Sequence, residues 1–508
     1  MLDQLQIDLE SPVPVYRQIA DAVRRGLEQG ELPPGTRLPP TRDLARRLGI
    51  NRNTVVSAYD ALAQEGLVQS HTGRGTFLVS PGSDYETPGN PAPGDGTPWF
   101  SGFSRAVERA GVGRLLSMYR VVTSKEGISF AGSYPASDLM PVEPLRKAIS
   151  GSMKEAGEEL LGYGPTAGHE PLRRWIAGSM RKQGSVLDAD QVLVTNGAQQ
   201  ALELVFRVMI DTGDPVVIEE PTYTGALSAL HSLGARVVGV PVDAEGMRPD
   251  LLAVALERHR PRLIYLQPTF QNPTTSVMSE ARRREILAVA ERHRCVVVED
   301  DWGGELCFDG KPLPPSLHAL DGGRRVIYLS TFSKKLLPGL RIGFVVAPPE
   351  VMEPLISLKQ IRDCGTSPLL QAGLHRFLQS GGLNEHLRHA LPVYRERRDA
   401  TMAAMERYFP PGVRWTRPSG GLFTWVTVPP AINTTDLFES ARREGVLFSR
   451  GELFHSGGGG SDTLRLTFAG NPTHEIESGI KTLGSLMTAI MGKDERDGEA
   501  AARAVPIL

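Results

Sequence analysis

No apolar run in these 508 residues approaches the length of a membrane span. The opening MLDQLQIDLE has neither the basic region nor the apolar core of a signal peptide. Cysteine is scarce. Cys295, Cys307 and Cys364 are odd in number and stand at no metal-ligand spacing, which argues against a disulfide framework or zinc module and makes a reducing cytoplasm the expected location. An excess of one charge is missing too. A formal net charge of −2 predicts no global affinity for nucleic acid, so any such binding must rest on a local patch. What is present is ordinary globular material, 40% hydrophobic and 22% charged, in a chain long enough for two or three domains.

Proline and glycine concentrate in PGSDYETPGNPAPGDGTP (81–98), where no apolar periodicity survives. Such a segment cannot bury enough surface to offset its ordering entropy. It reads as the centre of a linker over 81–105, between a small unit at 12–80 and a body at 106–492. The remainder, 493–508, is expected to be a disordered tail. Within the body, VLVT (192–195), PVVIEE (215–220), LIYLQP (263–268), CVVVEDD (295–301) and VIYLS (326–330) are short and rich in β-branched residues. Helical patterns at 199–209, 224–233 and 279–293 separate them. That alternation argues for a mainly parallel α/β sheet with functional groups at strand ends.

In the small unit, Val15, Ile19, Val23 and Leu27 share one helical face before ELPPGTRLPP breaks the helix. Thr41 is placed to cap TRDLARRLG, which Gly49 closes, and Asn51 or Asn53 to cap NRNTVVSAYDALAQEG. Two short helices around a tight glycine turn make a helix-turn-helix, and LVQSHTGRGTFLV adds a hairpin, or wing. Between residues 36 and 59, Arg37, Arg42, Arg46, Arg47 and Arg52 face a single acid, Asp43. The cations are all arginine, which suits bidentate contact with guanine or phosphate. Asn51, Arg52, Asn53 and Thr54 open the second helix, and Arg74 stands in the wing; these are candidate DNA contacts. A small helical module with solvated arginines is the plainer reading. The run PPGTRLPPTRDLARRLGINRNTVVSAYDALAQEGLV, with GRGTFLV after it, closely resembles the GntR family of winged helix-turn-helix regulators over residues 12–79. That resemblance implies Arg42, Arg52 and Thr54 as DNA contacts, with Gly75 in the wing.

The body carries STFSKKLLPGLRIGF (330–344). Amino-group chemistry through an aldehyde cofactor needs a lysine for a Schiff base, and hydroxyls with an arginine to hold a phosphate dianion. Thr331, Ser333, Lys334 and Arg341 supply that set. In TNGAQQAL (195–202) a strand ends in a glycine turn that opens a helix, so the N–H groups of Gly197, Ala198 and Gln199 would cradle phosphate, although many strand-to-helix turns look similar. Tyr223, in EEPTY, is placed to stack on a pyridine ring, or else to fill the core. Asn272, in QNPTT, is placed to hydrogen-bond a phenolic ring oxygen. Asp300 ends the strand in VVVEDDW, where a carboxylate would keep a pyridine nitrogen protonated. An acidic pair could instead bind metal, but no histidine or third acid stands at ligand spacing.

The lysine run resembles the signature of fold-type-I aminotransferases, in which an arginine follows the Schiff-base lysine by seven or eight positions. This favours Lys334 over Lys335, which reads as a surface or phosphate-side charge. The order phosphate turn, aromatic, Asn, Asp, Lys, Arg is that family's order, and the resemblance extends over roughly residues 120–490. It implies pyridoxal 5′-phosphate and a PLP-dependent transferase fold, an α/β body with a mainly parallel sheet and a smaller C-terminal α/β subdomain. YGPTAGHEPLR (163–173) is similar to the segment whose tyrosine, here Tyr163, reaches the phosphate of the partner subunit, so a homodimer is implied. TLRLTFAGNP (463–472) is similar to the strand whose arginine, here Arg465, clamps a substrate carboxylate. HSGGGGS (455–461) reads as a plain flexible loop more than as a lip beside that arginine.

Two departures stand out. The tyrosine usual two or three residues after the ring-binding aspartate is replaced by Trp302 and Gly303, and the NPTG turn ends in Thr275. An indole N–H donates but neither ionises nor accepts, so Schiff-base formation at Lys334 is left intact while efficient transamination is not expected. The whole chain resembles the MocR (GabR-like) regulators. That resemblance implies a head-to-tail homodimer on double-stranded DNA with repeated half-sites. It also implies sensing, at Lys334, of a small amine, an amino acid or pyridoxal phosphate itself. The alternative is a working aminotransferase that carries a DNA-binding module. A third reading makes the body a dimerisation scaffold without cofactor.

Overall fold

Three helices and a hairpin form the first unit: α1 (Val15–Glu28), α2 (Thr41–Leu48), α3 (Arg52–Gln64), β1 (Val68–His71) and β2 (Gly75–Leu78). The computed structural model describes residues 14–28, 38–64, 67–71, 75–78 and 127–503, with Asp8, Leu32 and Thr36. Residues 28, 64, 69–71, 75 and 493–503 are described by backbone alone. The chain divides into two units, Met1–Phe103 and Ser104–Leu508. The linker, Arg37 and Arg74 lie outside the described residues. The apolar stripe of α1 places Ile19 and Val23 in a core with Leu44, Val55 and Leu62. Gly49 takes a left-handed φ of 65° and its N–H donates to the Ala45 carbonyl, ending α2. The Asn51 side chain accepts from the Asn53 N–H at 2.9 Å, so Asn51 and not Asn53 caps α3. Thr41 does not cap α2. Pro40 holds that position, and the Thr41 hydroxyl instead accepts from Arg52 Nε at 3.3 Å. Gly75 opens β2 opposite His71, and the Leu38 N–H donates to the Thr76 carbonyl at 2.8 Å, which ties the wing to the turn before α2.

In the second unit, β3 (Ile128–Ser129) leads to β4 (Val192–Thr195), β5 (Pro215–Glu220), β6 (Arg236–Asp243) and β7 (Gly246–Met247). Then come β8 (Leu263–Leu266), β9 (Val296–Asp301), β10 (Val326–Thr331) and β11 (Gly343–Val346). The main sheet has the order β4-β11-β10-β9-β8-β5-β6-β7. Strands β10, β9, β8, β5 and β6 are parallel, and β11 runs antiparallel between β4 and β10. All residues of β4, β8 and β10 are buried, as expected where helices cover both faces of a sheet. The helices Ala198–Met209, Thr224–Leu233 and Glu280–Arg292 match the sequence periodicity closely.

The C-terminal part builds the smaller subdomain. Strands β12 (Arg414–Trp415), β13 (Phe423–Thr427), β15 (Ser449–Arg450) and β16 (Thr463–Thr467) form a sheet ordered β12-β13-β16-β15, while β14 (Val446–Leu447) pairs with β3. The final helix runs Thr473–Arg503, continuing past residue 492. The segment KDERDGEAAAR is rich in strong helix formers, and its propensity carries the helix on.

Strand β11 packs tightly on the turn that opens the helix Ala198–Met209. A Cβ on Gly343 would lie 2.8 Å from the Gly197 carbonyl carbon and 2.9 Å from the Ala198 nitrogen. Gly343→Ala is therefore expected to cost about 1–3 kcal/mol by overpacking, read as a lower midpoint for the second unit in urea denaturation.

Candidate functional site

The C-terminal ends of β4, β8, β9 and β10 converge on a cavity of about 200 Å³. Lys334, Asp300, Asn272, Tyr223, Ala198, Thr331 and Arg465 are among the residues that line it. At one side, Gly197 takes a φ of 85° and precedes the helix that begins at Ala198. A Cβ there would lie 2.6 Å from Arg341 Nη2, so only glycine lets the guanidinium close on the turn. Arg341 donates to the Asn196 carbonyl at 3.2 Å and to the Ser333 hydroxyl at 3.4 Å. The Thr331 and Ser333 hydroxyls lie 3.0 Å apart. A helix N-terminus, two hydroxyls and an arginine thus surround one spot, which is the chemistry of a phosphate cup. Gln199 helps brace the turn, its amide donating to the Gly225 carbonyl at 2.9 Å.

Opposite, Asp300 Oδ2 accepts from the Tyr265 hydroxyl (2.7 Å) and from Gln267 Nε2 (2.9 Å). Burial pushes its carboxyl up to about 7, against the pull of those two bonds. Its Oδ1 is buried and has no hydrogen-bond partner among the described residues. The same holds for Thr224 Oγ1 and Arg465 Nε, on residues that also line the cavity. Buried polar atoms rarely stay unpaired, so the cavity is built for a polar guest that includes a cation or N–H donor at Asp300. Tyr265 and Gln267 are absent from the candidates drawn from the sequence. They alternate along LIYLQP and so share a face, a signal the strand period could have given.

Arg465 is 3% exposed. It donates to Asn272 Oδ1 (2.7 Å), the Ala131 carbonyl (3.0 Å) and the Ser449 hydroxyl (3.4 Å). The rings of Phe423 and Phe454 lie 4.8 and 4.9 Å from its guanidinium carbon. Among the described residues it makes no ion pair, and burial draws its pKa down to about 9. Such a cation lacks the anion that would compensate its desolvation. Asn272 gives its oxygen to Arg465, which leaves the amide nitrogen as the donor for a ring oxygen. Lys334 Nζ donates to the Ser133 carbonyl at 2.7 Å and lies 5.3 Å from the Tyr134 ring centre. Burial first, then the charges of Arg465 and Arg341, lowers its ammonium to about 8. Burial pushes the neighbouring Tyr223 phenol up to about 12.

Lys335 is not a surface or phosphate-side charge. It is buried, paired with Glu305 and set over the Phe332 ring at 5.1 Å. Trp302 gives its indole N–H to the Phe270 carbonyl (3.0 Å) and stacks on Phe423, so that N–H is not available to a ring oxygen. Thr275 adopts the left-handed φ of 63° that glycine would favour, and its hydroxyl donates to Thr416 at 3.0 Å. The glycine-rich loop is anchored at its start. His455 Nδ1 lies 2.9 Å from Glu220 Oε1, and the Ser456 N–H and hydroxyl donate to the same carboxylate at 2.9 and 2.6 Å. Tyr163 stands apart from the cavity, 95% exposed. No group of three or more metal-ligating side chains occurs among the described residues. In the first unit, Arg42, Asn51 and Arg52 are exposed and Thr54 half-buried, gathered where α2 and α3 begin.

The family model for aminotransferase class I and II matches residues 131–483, and that for the gntR family of bacterial regulatory proteins matches 15–78. The probable rhizopine catabolism regulatory protein MocR of Rhizobium meliloti is 34% identical over 96% of both chains. The chain belongs to the MocR-type transcriptional regulators. This MocR-type chain is also 38% identical to the 2-aminoadipate transaminase of Thermus thermophilus, over 77% of this chain and 98% of the relative. The structure of LysN from the same organism, an alpha-aminoadipate aminotransferase complexed with N-(5′-phosphopyridoxyl)-L-leucine, superposes with a TM-score of 0.73 at 38% identity. It covers 78% of this chain and 99% of that one. No helix among the described residues is long and apolar enough to cross a membrane.

Only the neutral lysine attacks an aldehyde. Capture of pyridoxal phosphate by this MocR-type regulator is therefore expected to accelerate as pH rises and to level off above about 8. Arg465→Gln removes a neighbouring cation and should move that midpoint upward, as read by stopped-flow absorbance across a pH series.

Proposed function

We propose that this regulator binds pyridoxal phosphate at Lys334 and reports an amino compound, or the cofactor itself, to its DNA reader. The observation that carries the reading is the pairing, across one cavity, of a half-buried lysine lowered to about 8 with a buried arginine that has no ion-pair partner among the described residues. The residues fit the cofactor. Gly197, Ala198, Gln199, Thr331, Ser333 and Arg341 would hold its phosphate, and the unpartnered Asp300 Oδ1 its ring nitrogen. Tyr223 would cover the ring, and the Asn272 amide would face the ring oxygen. Exposed Tyr163 would reach the phosphate of a partner subunit in a head-to-tail homodimer. When bound, pyridoxal phosphate supplies an aldehyde for a primary amine and a ring that withdraws electrons.

Arg465 would take the carboxylate of an amino-acid effector in a bidentate pair. A switch needs two states that the effector distinguishes. Lys334 and Arg465 both donate to carbonyls of the segment 131–134. Loss of the ammonium at Lys334 and competition at Arg465 would release those carbonyls together, at the start of the second unit. The first unit would read duplex DNA with repeated half-sites through Arg42, Asn51, Arg52, Thr54, Arg74 and the close backbone approach at Gly75.

A working aminotransferase is the second reading, favoured by the 38% identity to a transaminase. The commitment of the Trp302 indole and the absence of a phenol at positions 302 and 303 weigh against efficient turnover. Absorbance during reaction with an amino acid, followed by a keto acid, separates the two, because sustained cycling of both half-reactions overturns the sensor reading. Lys334→Ala is expected to abolish covalent capture of pyridoxal phosphate and the effector response of operator binding in the same samples. Retention of both would sink the proposal.

A further inference from the structure

The site occupies the C-terminal ends of the parallel strands. Their N-terminal ends carry a different chemistry. Strand β6 begins at Arg236, β8 is preceded by Arg260 and Arg262, β9 by Arg292 and Arg294, and β10 by Arg324 and Arg325. In the sheet these strands run β10-β9-β8-β5-β6, so along this rim arginines flank four of the five strand starts over about 19 Å, while β5 follows Asp211 and Asp214 instead. Arg258 joins them from the last turn of the helix Pro249–His259. All but Arg325 are exposed. Among the described residues, acids bond only Arg262, through Asp214, and Arg325, through Glu291, by side-chain ion pairs on this rim. Arg236 Nη1 lies 3.1 Å from the His259 ring, whose pKa falls through burial and then through Arg236 and Arg258.

Backbone conformation gives an independent sign. Helices before β6 and β10 end on Gly234 and Gly322, with φ of 73° and 68°. The equivalent turns before β8 and β9 use Arg260 and Arg294, with φ of 46° and 52°. Left-handed backbone disfavours a side chain, so at both turns an arginine stands where glycine would be less strained. Each closes the same tetrapeptide, Glu-Arg-His-Arg, at 257–260 and 291–294. Solvation alone does not require arginine at these positions.

We propose that this rim is a second contact surface for double-stranded DNA, engaging phosphates beyond those held by the winged helix-turn-helix. DNA is favoured over other polyanions because the same chain carries a gntR-family reader. Duplex DNA presents one charge per roughly 1.7 Å of axis, so a rim of this width faces about eleven charges. The cofactor cavity opens at the opposite strand ends and remains accessible. The test uses the full chain with Arg258→Gln, Arg260→Gly, Arg292→Gln and Arg294→Gly combined. The two glycines relieve the left-handed strain, and pyridoxal phosphate capture checks that the second unit is folded. Binding to a long mixed-sequence duplex is measured by fluorescence anisotropy over a salt series, in the native reader and in an Arg42→Ala, Arg52→Ala background. Loss of four phosphate contacts should make the slope of log affinity against log salt shallower by about 3.6 in both backgrounds. An unchanged slope in both overturns the proposal. So does a variant that loses binding to phosphatidylglycerol vesicles while its DNA slope stays the same.

Discussion

Positive charge held out of water, without a matching anion among the described residues, is the constraint on which the second unit depends. Arg465 is enclosed by two phenyl faces and neutral acceptors, and Lys334 lies close enough to be depressed by it. A desolvated cation is costly unless something compensates it. Carbonyl oxygens of the 131–134 segment compensate in part, and each aromatic face adds roughly 2 kcal/mol or more to a desolvated cation. The stress that remains has chemical use. It lowers the Lys334 ammonium to about 8 and leaves the guanidinium without an ion-pair partner among the described residues. The unpartnered Asp300 oxygen is the mirror image, an acid raised by burial and open to a cation.

The two units divide this work by surface type. The first keeps a small apolar core and displays arginines around the start of α3, where backbone N–H groups and side chains point outward. The second encloses Arg465 and half-buries Lys334 beside one cavity at the C-terminal strand ends, while the arginines at the opposite ends, Arg325 apart, stay exposed. A chain with almost no net charge can then carry distinct basic sites, because charge is distributed by fold and not by composition.

Much of this architecture is legible in the residues. β-branched runs mark strands β4, β5, β8, β9 and β10 nearly to the residue, since buried parallel strands leave an unmistakable apolar signature. The site order from Gly197 to Arg341 can be read because each group ends a strand or opens a helix. Lys335 escapes such a reading because its partner, Glu305, lies thirty residues away and no local pattern announces a long-range ion pair. Thr41 fails as a cap because Pro40 occupies the position and Arg52 claims the hydroxyl. The His455–Glu220 anchor joins residues still further apart in the chain, and glycine content alone could not reveal it.

Asp300 and Asp301 close the same strand and serve opposite sides of the sheet. The first takes Tyr265 and Gln267 beside the cavity; the second takes the Tyr328 hydroxyl at 2.8 Å and the Gly304 N–H at 2.9 Å. Because side chains alternate along a strand, shifting β9 by one position would exchange the two carboxylates. A framework acid would then face the cavity, and the acid that awaits a cation would be sealed behind it. Residues 296–299 are therefore intolerant of a single-codon insertion or deletion, even though none of those four side chains lines the pocket.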